Sequence, residues 1–172
     1  ITNIYILEDK NMAQNLVIEN ARIIFRNFAG KEGKFNPAGR RNFSVIIDKD
    51  TADALSSEGW NIKQRPPRDP DDDPMFSIPV AVSFNNYPPK IVLIAGSKGT
   101  ILDEEDIFQL DDAEIENADL VIRPYTYDVN GKKGVKAYLK EAYITIAQSQ
   151  FDKKYADFMT DKSPVEEEEL PF

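Results

Sequence analysis

Residues 120–147 read LVIRPYTYDVNGKKGVKAYLKEAYITIA. Two segments rich in β-branched and aromatic residues, Leu120–Val129 and Val135–Ala147, flank the glycine-containing segment Asn130-Gly131-Lys132-Lys133-Gly134. Asn-Gly favours tight turns between antiparallel strands, because both residues tolerate a positive φ. The stretch therefore predicts a long β-hairpin with a basic turn.

A second unit of the same kind precedes it. Leu16–Phe28 is rich in Ile, Val and Phe, and Arg41–Asp48 alternates so that Phe43, Val45 and Ile47 share one face. Between them, three glycines and Pro37 mark a flexible loop that also carries lysines. These features predict a second hairpin with a long basic loop.

The other predicted elements are short. Lys49–Glu58 reads as a helix with Asp50 as its N-cap, and Gly59 ends it. Met75–Phe84 and Lys90–Ala95 read as strands, the first at a sheet edge because it contains Pro79. Segments 64–74, 95–100 and 103–117 are interpreted as a Pro-rich loop, a turn, and a loop or short exposed helix.

These elements predict an all-β, mainly antiparallel fold. We expect an OB-fold-like small barrel with one short helix and long hairpins, followed by a disordered acidic tail. A β-sandwich fits the same pattern and stays open as the alternative. Residues 1–11 precede Met12-Ala13-Gln14, which reads like a natural start, so we interpret them as an added or upstream extension. The folded domain is assigned to 12–158 and the tail to 159–172.

Composition excludes several kinds of site. The 172 residues contain neither cysteine nor histidine, which removes disulfides, thiolate catalysis and the commonest transition-metal ligands. No apolar run is long enough for a membrane helix, and no signal peptide is expected. The net charge of −9 is unevenly distributed: segment 103–119 carries −9, whereas segments 22–41 and 120–140 carry +5 and +4. The basic segments coincide with the two predicted hairpins.

Both hairpins combine cations with aromatic rings, which is the combination that holds single-stranded nucleic acid. Alternation in the first strand places Arg22, Arg26 and Phe28 on one face, with Ile23 and Phe25 on the other. The predicted phosphate-binding residues are Arg22, Arg26, Lys31, Lys34, Arg40, Arg41, Arg123, Lys132, Lys133 and Lys136. The predicted base-stacking residues are Phe28, Phe35, Tyr125, Tyr127 and Tyr138.

Other interpretations compete with this one. Tyrosines and long basic side chains also cover exposed sheet faces without binding a ligand. Trp60 is more often a core residue than a ligand contact, although Lys63, Arg65 and Arg68 near it would extend a basic groove, as would Phe84 and Tyr87 with Lys90. A β-sandwich interaction module with a docking tail is the main functional alternative. RNA is an alternative ligand for the same surface.

Enzyme motifs are missing, so no catalytic residue, cofactor or metal is predicted. Ala95–Thr100 lacks the spacing of a phosphate-binding loop. The acids at 71–73 and 103–119 lack calcium-loop spacing and lie apart from the basic segments. A carboxylate-dependent metallonuclease is therefore only the weaker alternative.

The chain ends in Glu166-Glu167-Glu168-Glu169-Leu170-Pro171-Phe172. Four consecutive carboxylates repel one another and predict a solvated tail. The apolar end is then interpreted as an anchor for a partner's pocket, with the acids steering it toward a basic rim. The alternative is an acidic terminus that only improves solubility.

This tail resembles the C-terminal tips of bacterial and phage single-stranded DNA-binding (SSB) proteins. Residues 15–28 and 39–45, NLVIENARIIFRNF and GRRNFSV, resemble phage-encoded SSB proteins. The resemblance implies a non-enzymatic OB-fold protein that coats single-stranded DNA without sequence preference during phage replication, recombination and repair, in the cytoplasm of an infected bacterium. It also implies recruitment of replication proteins such as polymerase or helicase–primase by the tail. The near absence of a flexible linker before the tail leads us to expect a monomer or homodimer.

Overall fold

The computed structural model describes residues 1–8, 14–85 and 87–148. Its strands are β1 (Asn3–Glu8), β2 (Gln14–Glu19), β3 (Arg22–Asn27), β4 (Arg41–Ile47), β5 (Lys63–Arg65), β6 (Met75–Val82), β7 (Lys90–Ala95), β8 (Lys98–Leu102), β9 (Ile115–Val129) and β10 (Lys132–Ile146). Helix α1 spans Lys49–Ser57, and a 3₁₀ helix spans Ile107–Asp111. The predicted tail, 159–172, lies outside the described residues.

The strands form a curved sheet in the order β1-β2-β9-β10-β6-β4-β3. The hydrogen-bonded path stays open, but β3 follows β2 after only Asn20 and Ala21, so β2, next to β1 at one end of the path, and β3, at the other end, form one bent strand. Asn20 adopts a positive φ of 55° at the bend, and the Ala21 N–H donates to the Ala118 carbonyl at 2.7 Å. Counted this way, five strands surround the core as in a partly open OB-fold barrel, and the predicted fold class is confirmed.

Alternation in β4 and β6 helps to fill the interior of the barrel. Phe43 and Val45 of β4 and Ile78 and Val80 of β6 are fully buried, and Phe28 stacks on Phe43 with ring centroids 5.2 Å apart. Burial of such a side chain stabilises the fold by about 1.5–3 kcal/mol. Their neighbours on β4 and β6 consequently point outward, which defines the outer face described below.

The hairpin predicted from residues 120–147 is confirmed, and it is longer than expected. Strand β9 begins at Ile115, and the turn contains only Asn130 and Gly131, with φ values of 54° and 82°. Two positive φ values in succession correspond to a type I′ turn, which matches the twist of the flanking strands. Strand β10 also pairs in parallel with β6 and with β7, so the hairpin joins the barrel to the rest of the sheet.

Helix α1 forms as predicted, but its N-cap is Asp48 and not Asp50. The Asp48 carboxylate accepts a hydrogen bond from the Thr51 N–H at 2.8 Å, and this hydrogen bond lowers the pKa of Asp48. Asp50 lies in the first turn instead. At the other end, Gly59 has a φ of 92°, consistent with its predicted role as helix terminator.

Pro79 does not mark an edge strand. Strand β6 has β4 on one side and both β5 and β10 on the other, with β5 pairing as far as Ser77 and β10 starting at Val80. Pro79 thus falls between the two partners, where its missing N–H removes no ladder hydrogen bond on that side.

Two segments predicted as irregular are ordered. Lys98–Leu102 forms β8, which pairs with β7 across a turn at Gly96 and Ser97. The acidic segment 103–117, predicted as a loop or a short exposed helix, contains the 3₁₀ helix, which buries Ile107 and Leu110 completely, and the half-buried Asp111 carboxylate accepts hydrogen bonds from the N–H groups of Phe28 and Ala29. The extension predicted at 1–11 contributes β1, which pairs with β2. No helix within the described ranges is long and apolar enough to cross a membrane.

Candidate nucleic-acid interface

An open groove of about 620 Å³ lies on the outer face of β4 and β6. Its outward-facing floor is Asn42 and Ser44 of β4 with Pro79 and Ala81 of β6, all small side chains. The charged residues that line it are Arg40, Arg41, Lys63 and Lys136. Four cations and no carboxylate give the groove a positive potential that suits a polyanion. OB-folds bind oligonucleotides on the face formed by the second and third strands of the barrel, which correspond here to β4 and β6.

A row of aromatic rings and cations borders this groove on the β9–β10 hairpin. Arg123 lies opposite Tyr138, and Tyr125 lies opposite Lys136. The Tyr125 and Tyr138 rings meet edge to face at 5.9 Å. The Arg123 guanidinium lies 5.3 Å from the Tyr138 ring centroid and the Lys136 ammonium lies 5.1 Å from it. Since Lys136 also lines the groove, the row and the groove form one continuous surface.

Tyr87 extends the row, because the Arg123 guanidinium is 5.2 Å from its ring as well as near Tyr138. Tyr125 and Tyr87 are exposed, so each offers a ring face to solvent. A base stacked on such a ring would also lie beside a cation that can reach its phosphate.

Tyr127 differs from Tyr125 and Tyr138 of the same hairpin. Its ring lies across Gly134, where a β-carbon would collide with it. Its hydroxyl donates to the Asn61 side-chain oxygen at 3.1 Å, and Asn61 lines the groove. The structure therefore places Tyr127 where it positions the groove wall.

The loop between β3 and β4 exposes aromatic and basic side chains to solvent. Phe35 is 89% exposed, with the Lys34 ammonium 5.4 Å from its ring. Asn36 fixes the loop by donating to the carbonyls of Lys31, Pro37 and Arg40. Lys132 and Lys133 are exposed next to the turn of the other hairpin. Loop and turn are the two connections that flank the binding face of an OB-fold.

Arg41 is partly neutralised. Its guanidinium is 3.1 Å from a carboxylate oxygen of Glu104 and 5.8 Å from the Phe84 ring. Its Nε is buried and finds no hydrogen-bond partner within the described part of the chain. Glu104 is thus a competitor for any phosphate that approaches Arg41.

Two of the predicted DNA-binding residues between positions 22 and 28 stabilise the fold. Phe28 is 0% exposed in the core, so the prediction that it stacks on a base is wrong. Arg26 donates to the carbonyls of Leu110 and Ala113 at 2.8 and 2.6 Å, which ties one guanidinium nitrogen to the segment of the 3₁₀ helix, and its phosphate contact stays a prediction. Arg22 is exposed but lines a different pocket, near Asp48 and Thr51 of helix α1.

The cause is a break in the alternation of β3. The register of β3 against β4 shifts between Ile24 and Asn27, and Phe25 adopts a positive φ of 52°. A bulge of this kind redirects the side chains that follow it. Phe25, predicted to face the other side, is consequently 53% exposed. Sequence alternation alone contains no signal for such a bulge.

The structure settles the positions of the residues near the Pro-rich loop. Trp60 is a core residue, and its backbone pairs with Val135 in an isolated parallel bridge. Lys63 lies in the groove, whereas Arg65 lies over the Phe25 ring at 4.3 Å. Within the described ranges, no group of three or more acidic side chains is placed to hold a metal ion. The tail residues Glu166–Phe172 lie outside the described residues.

Comparison with known proteins agrees with this geometry. The family model described as "Putative phage ssDNA-binding domain" matches residues 7–170. The solved single-stranded DNA-binding protein from bacteriophage Enc34 in complex with ssDNA is similar in fold, with a TM-score of 0.51 and 13% identity over 87% of this chain and 98% of that chain. A further structure of the Enc34 protein gives a TM-score of 0.50 and 12% identity over 96% and 98% of the two chains. No curated protein matches the chain.

Proposed function

The chain belongs to the family of phage single-stranded DNA-binding domains, and on that premise we propose that it coats single-stranded DNA without sequence preference. The observation that carries the proposal is the groove on β4 and β6, which contains four cations and no carboxylate and continues into the cation–aromatic row of the β9–β10 hairpin.

Phosphates would follow the groove. Arg40, Arg41, Lys63 and Lys136 stand around its floor, and the small side chains of that floor let the strand approach the sheet closely. Each phosphate that a cation neutralises releases counterions, so the affinity falls as salt rises. At the two ends, Lys31, Lys34, Lys132 and Lys133 would hold further phosphates.

Bases would stack on the exposed rings. The exposed Tyr125 and Phe35 and the half-buried Tyr138 offer π-faces that accept any base, which is why this mode of binding is indifferent to sequence. A duplex keeps its base faces stacked inside the helix. The same surface therefore favours the single strand, since only unpaired bases can reach the rings.

The acidic tail would serve protein partners. Glu166–Glu169 followed by Leu170-Pro171-Phe172 combines charge steering with an apolar anchor. We propose that it recruits replication proteins, such as a polymerase or helicase–primase, to the coated strand in phage replication, recombination and repair. In this role the protein acts as a non-enzymatic monomer or homodimer in the cytoplasm of an infected bacterium.

The first test is fluorescence anisotropy with a labelled dT oligomer of about 30 nucleotides, long enough to exceed one OB-fold site. The same-length duplex and a U-containing RNA oligomer are compared across a salt series. We expect tight, salt-sensitive binding to the single strand and weak binding to the duplex. Equal affinity for duplex and single strand, or a curve indifferent to salt, would contradict the proposal, and a clear preference for the RNA oligomer would redirect it to RNA.

A variant pair locates the site. Lys63→Gln with Lys136→Gln removes two groove cations, so we expect weaker binding and a log–log salt slope smaller by about 1.4, at about 0.7 per phosphate. Lys49→Gln is the matched control, because Lys49 pairs with Asp53 on helix α1 and lines no part of the groove.

A further inference from the structure

Phe25 and Arg65 form a contact that the proposed groove does not include. The Arg65 guanidinium lies 4.3 Å from the Phe25 ring centroid. Phe25 belongs to β3 and Arg65 to β5, and β4 and β6 lie between those strands in the sheet. The contact therefore joins the two strands that flank the floor of the groove.

Both residues lie next to the groove. Phe25 follows Ile24, which pairs with the groove residue Ser44. Arg65 lies two residues after Lys63, whose side chain lines the groove. A strand that runs along the floor past Ser44 and Lys63 would thus meet this pair next.

The backbone at Phe25 is held in a conformation that is costly for an aromatic residue. A φ of 52° is uncommon outside glycine, asparagine and aspartate, and strain of this kind gathers at ligand sites. Its effect here is to turn a large apolar ring out of the core. The ring is 53% exposed, so that the guanidinium on one face leaves ring surface accessible to a ligand.

Arg65 is also available to a ligand. Among the described residues, its guanidinium makes no hydrogen bond or ion pair and contacts only the Phe25 ring. A planar guanidinium offers several N–H donors in an arrangement that matches phosphate oxygens.

We propose that Phe25 and Arg65 form a nucleotide subsite at the end of the groove, in which a base stacks on Phe25 and its phosphate binds Arg65. The inference rests on the proposed function, since it extends the path of the same single strand. A contact that only fastened β3 to β5 would need neither the exposure of the ring nor the free donors of the guanidinium.

Phe25→Leu tests the stacking. Loss of a stacked ring is expected to weaken binding of the dT oligomer by about 5- to 100-fold without changing the salt slope. Phe25→Trp should retain or increase the affinity. The matched control is Phe108→Leu, because Phe108 is a comparably exposed ring (58%) on the acidic 3₁₀ helix and should not affect DNA binding.

Arg65→Gln tests the phosphate contact. It should reduce the salt slope by about 0.7, the value for one phosphate of a single strand, while Arg65→Lys keeps the slope. An unchanged slope in Arg65→Gln would overturn the phosphate contact. A merely structural clasp would alter the thermal midpoint of these variants but not the slope.

Photocrosslinking of the unaltered protein tests the subsite even if a variant fails to fold. An oligomer that contains 5-iododeoxyuridine is irradiated in the complex, and crosslinked peptides are identified after trypsin digestion. The subsite predicts a crosslink in the peptide Ile23–Arg26. Crosslinks on the hairpin peptides but none on Ile23–Arg26, or normal affinity in Phe25→Leu, would overturn the subsite and leave the proposed function standing. Failure of the unaltered protein to bind the oligomer would overturn both.

Discussion

Tyr138 occupies the most connected position of the candidate interface. Its ring contacts the cations of Arg123 and Lys136 and meets Tyr125 edge to face. Each of these contacts holds the ring at a fixed orientation, so a base that stacks there loses little affinity to rearrangement of the protein.

We therefore expect Tyr138→Leu to weaken binding of single-stranded DNA by about 1–3 kcal/mol, the cost of one stacked base. Fluorescence anisotropy with the dT oligomer measures the change. Tyr5→Leu is the control, since Tyr5 is an exposed tyrosine on β1, away from the groove. Equal losses in the two variants would mean that the effect is not local to the interface.

Glu104 has the opposite expected effect on binding. Its carboxylate holds Arg41 at 3.1 Å, and a phosphate must displace it to use that guanidinium fully. We expect Glu104→Gln to tighten DNA binding by up to about fivefold at low salt, because an exposed ion pair is worth about 0–1 kcal/mol.

Glu105→Gln provides the control for the Glu104 experiment. It removes the same charge from the neighbouring residue, which makes no ion pair with Arg41. The same gain in both variants would attribute the effect to net charge. A gain in Glu104→Gln alone would attribute it to the release of Arg41.

At the scale of elements, helix α1 has one side-chain N-cap, which is Asp48. The Asp48 carboxylate accepts the Thr51 N–H, and hydrogen bonding first to the Thr51 side chain and then to this N–H holds the pKa of Asp48 below its usual value of 3.8. A carboxylate with a lowered folded-state pKa stabilises the fold above its unfolded-state pKa. That stabilisation is lost as the pH falls through the folded-state pKa.

Asp48→Ala should consequently lower the free energy of unfolding by about 1 kcal/mol at neutral pH, as removal of an N-cap usually does. The difference from the unaltered protein should shrink below about pH 4, because both then lack a charged cap. Urea unfolding at neutral and acidic pH measures both effects. Asp50→Ala, which removes a first-turn charge but no cap, should cost less, and an equal cost would contradict the assignment of the cap.

The elements also show which parts of the fold could be predicted from the sequence. The hairpin of β9 and β10 follows from Asn130-Gly131, and the inward face of β4 follows from Phe43, Val45 and Ile47, because turn chemistry and alternation are local properties. The bulge at Phe25 is not local: it lets Arg26 reach the carbonyls of Leu110 and Ala113, which are distant in sequence. Alternation alone places Phe28 and Arg26 on the DNA-binding face, whereas Phe28 lies in the core and Arg26 is half-buried against the segment of the 3₁₀ helix.

Strands at the margins of the sheet were harder to predict than those in its centre. Lys98–Leu102 contains glycine and lysine and pairs only with β7, so its sequence lacks the apolar alternation of a half-buried strand. Lys63 enters the groove because β5 begins just before the Pro-rich segment 64–74 and pairs with β6, which composition alone does not reveal. By contrast, Arg40, Arg41 and Lys136 were predicted and lie together in the groove.

At the scale of the molecule, charge is separated by position. The groove has only cations, whereas segment 103–119 carries nine carboxylates and no cation. Glu104 of the acidic segment meets the groove residue Arg41 at 3.1 Å, whereas Arg40, Lys63 and Lys136 leave the rest of the groove positive and attractive to a polyanion. The net charge of −9 is thus compatible with DNA binding.

The tail adds four carboxylates and an aromatic ring, which together imitate a short piece of nucleic acid. We expect removal of residues 160–172 to increase DNA affinity at low salt, since the tail then no longer competes for the groove, and to abolish recruitment of replication proteins. Anisotropy and pull-down experiments measure the two effects. The control replaces Leu170-Pro171-Phe172 by Gly-Ser-Gly and keeps the charges. Unchanged DNA affinity after truncation would contradict competition by the tail.

The bent strand formed by β2 and β3 also determines when the protein can fold on the ribosome. Leu16 pairs with Ile122, so the barrel cannot surround its core until β9 has left the exit tunnel. At about 5–20 residues per second, translation of the residues between these partners takes roughly 5–20 s. During that interval the early strands expose apolar edges to other nascent chains. We therefore expect incomplete chains on one messenger RNA to aggregate more readily when ribosomes are crowded on it.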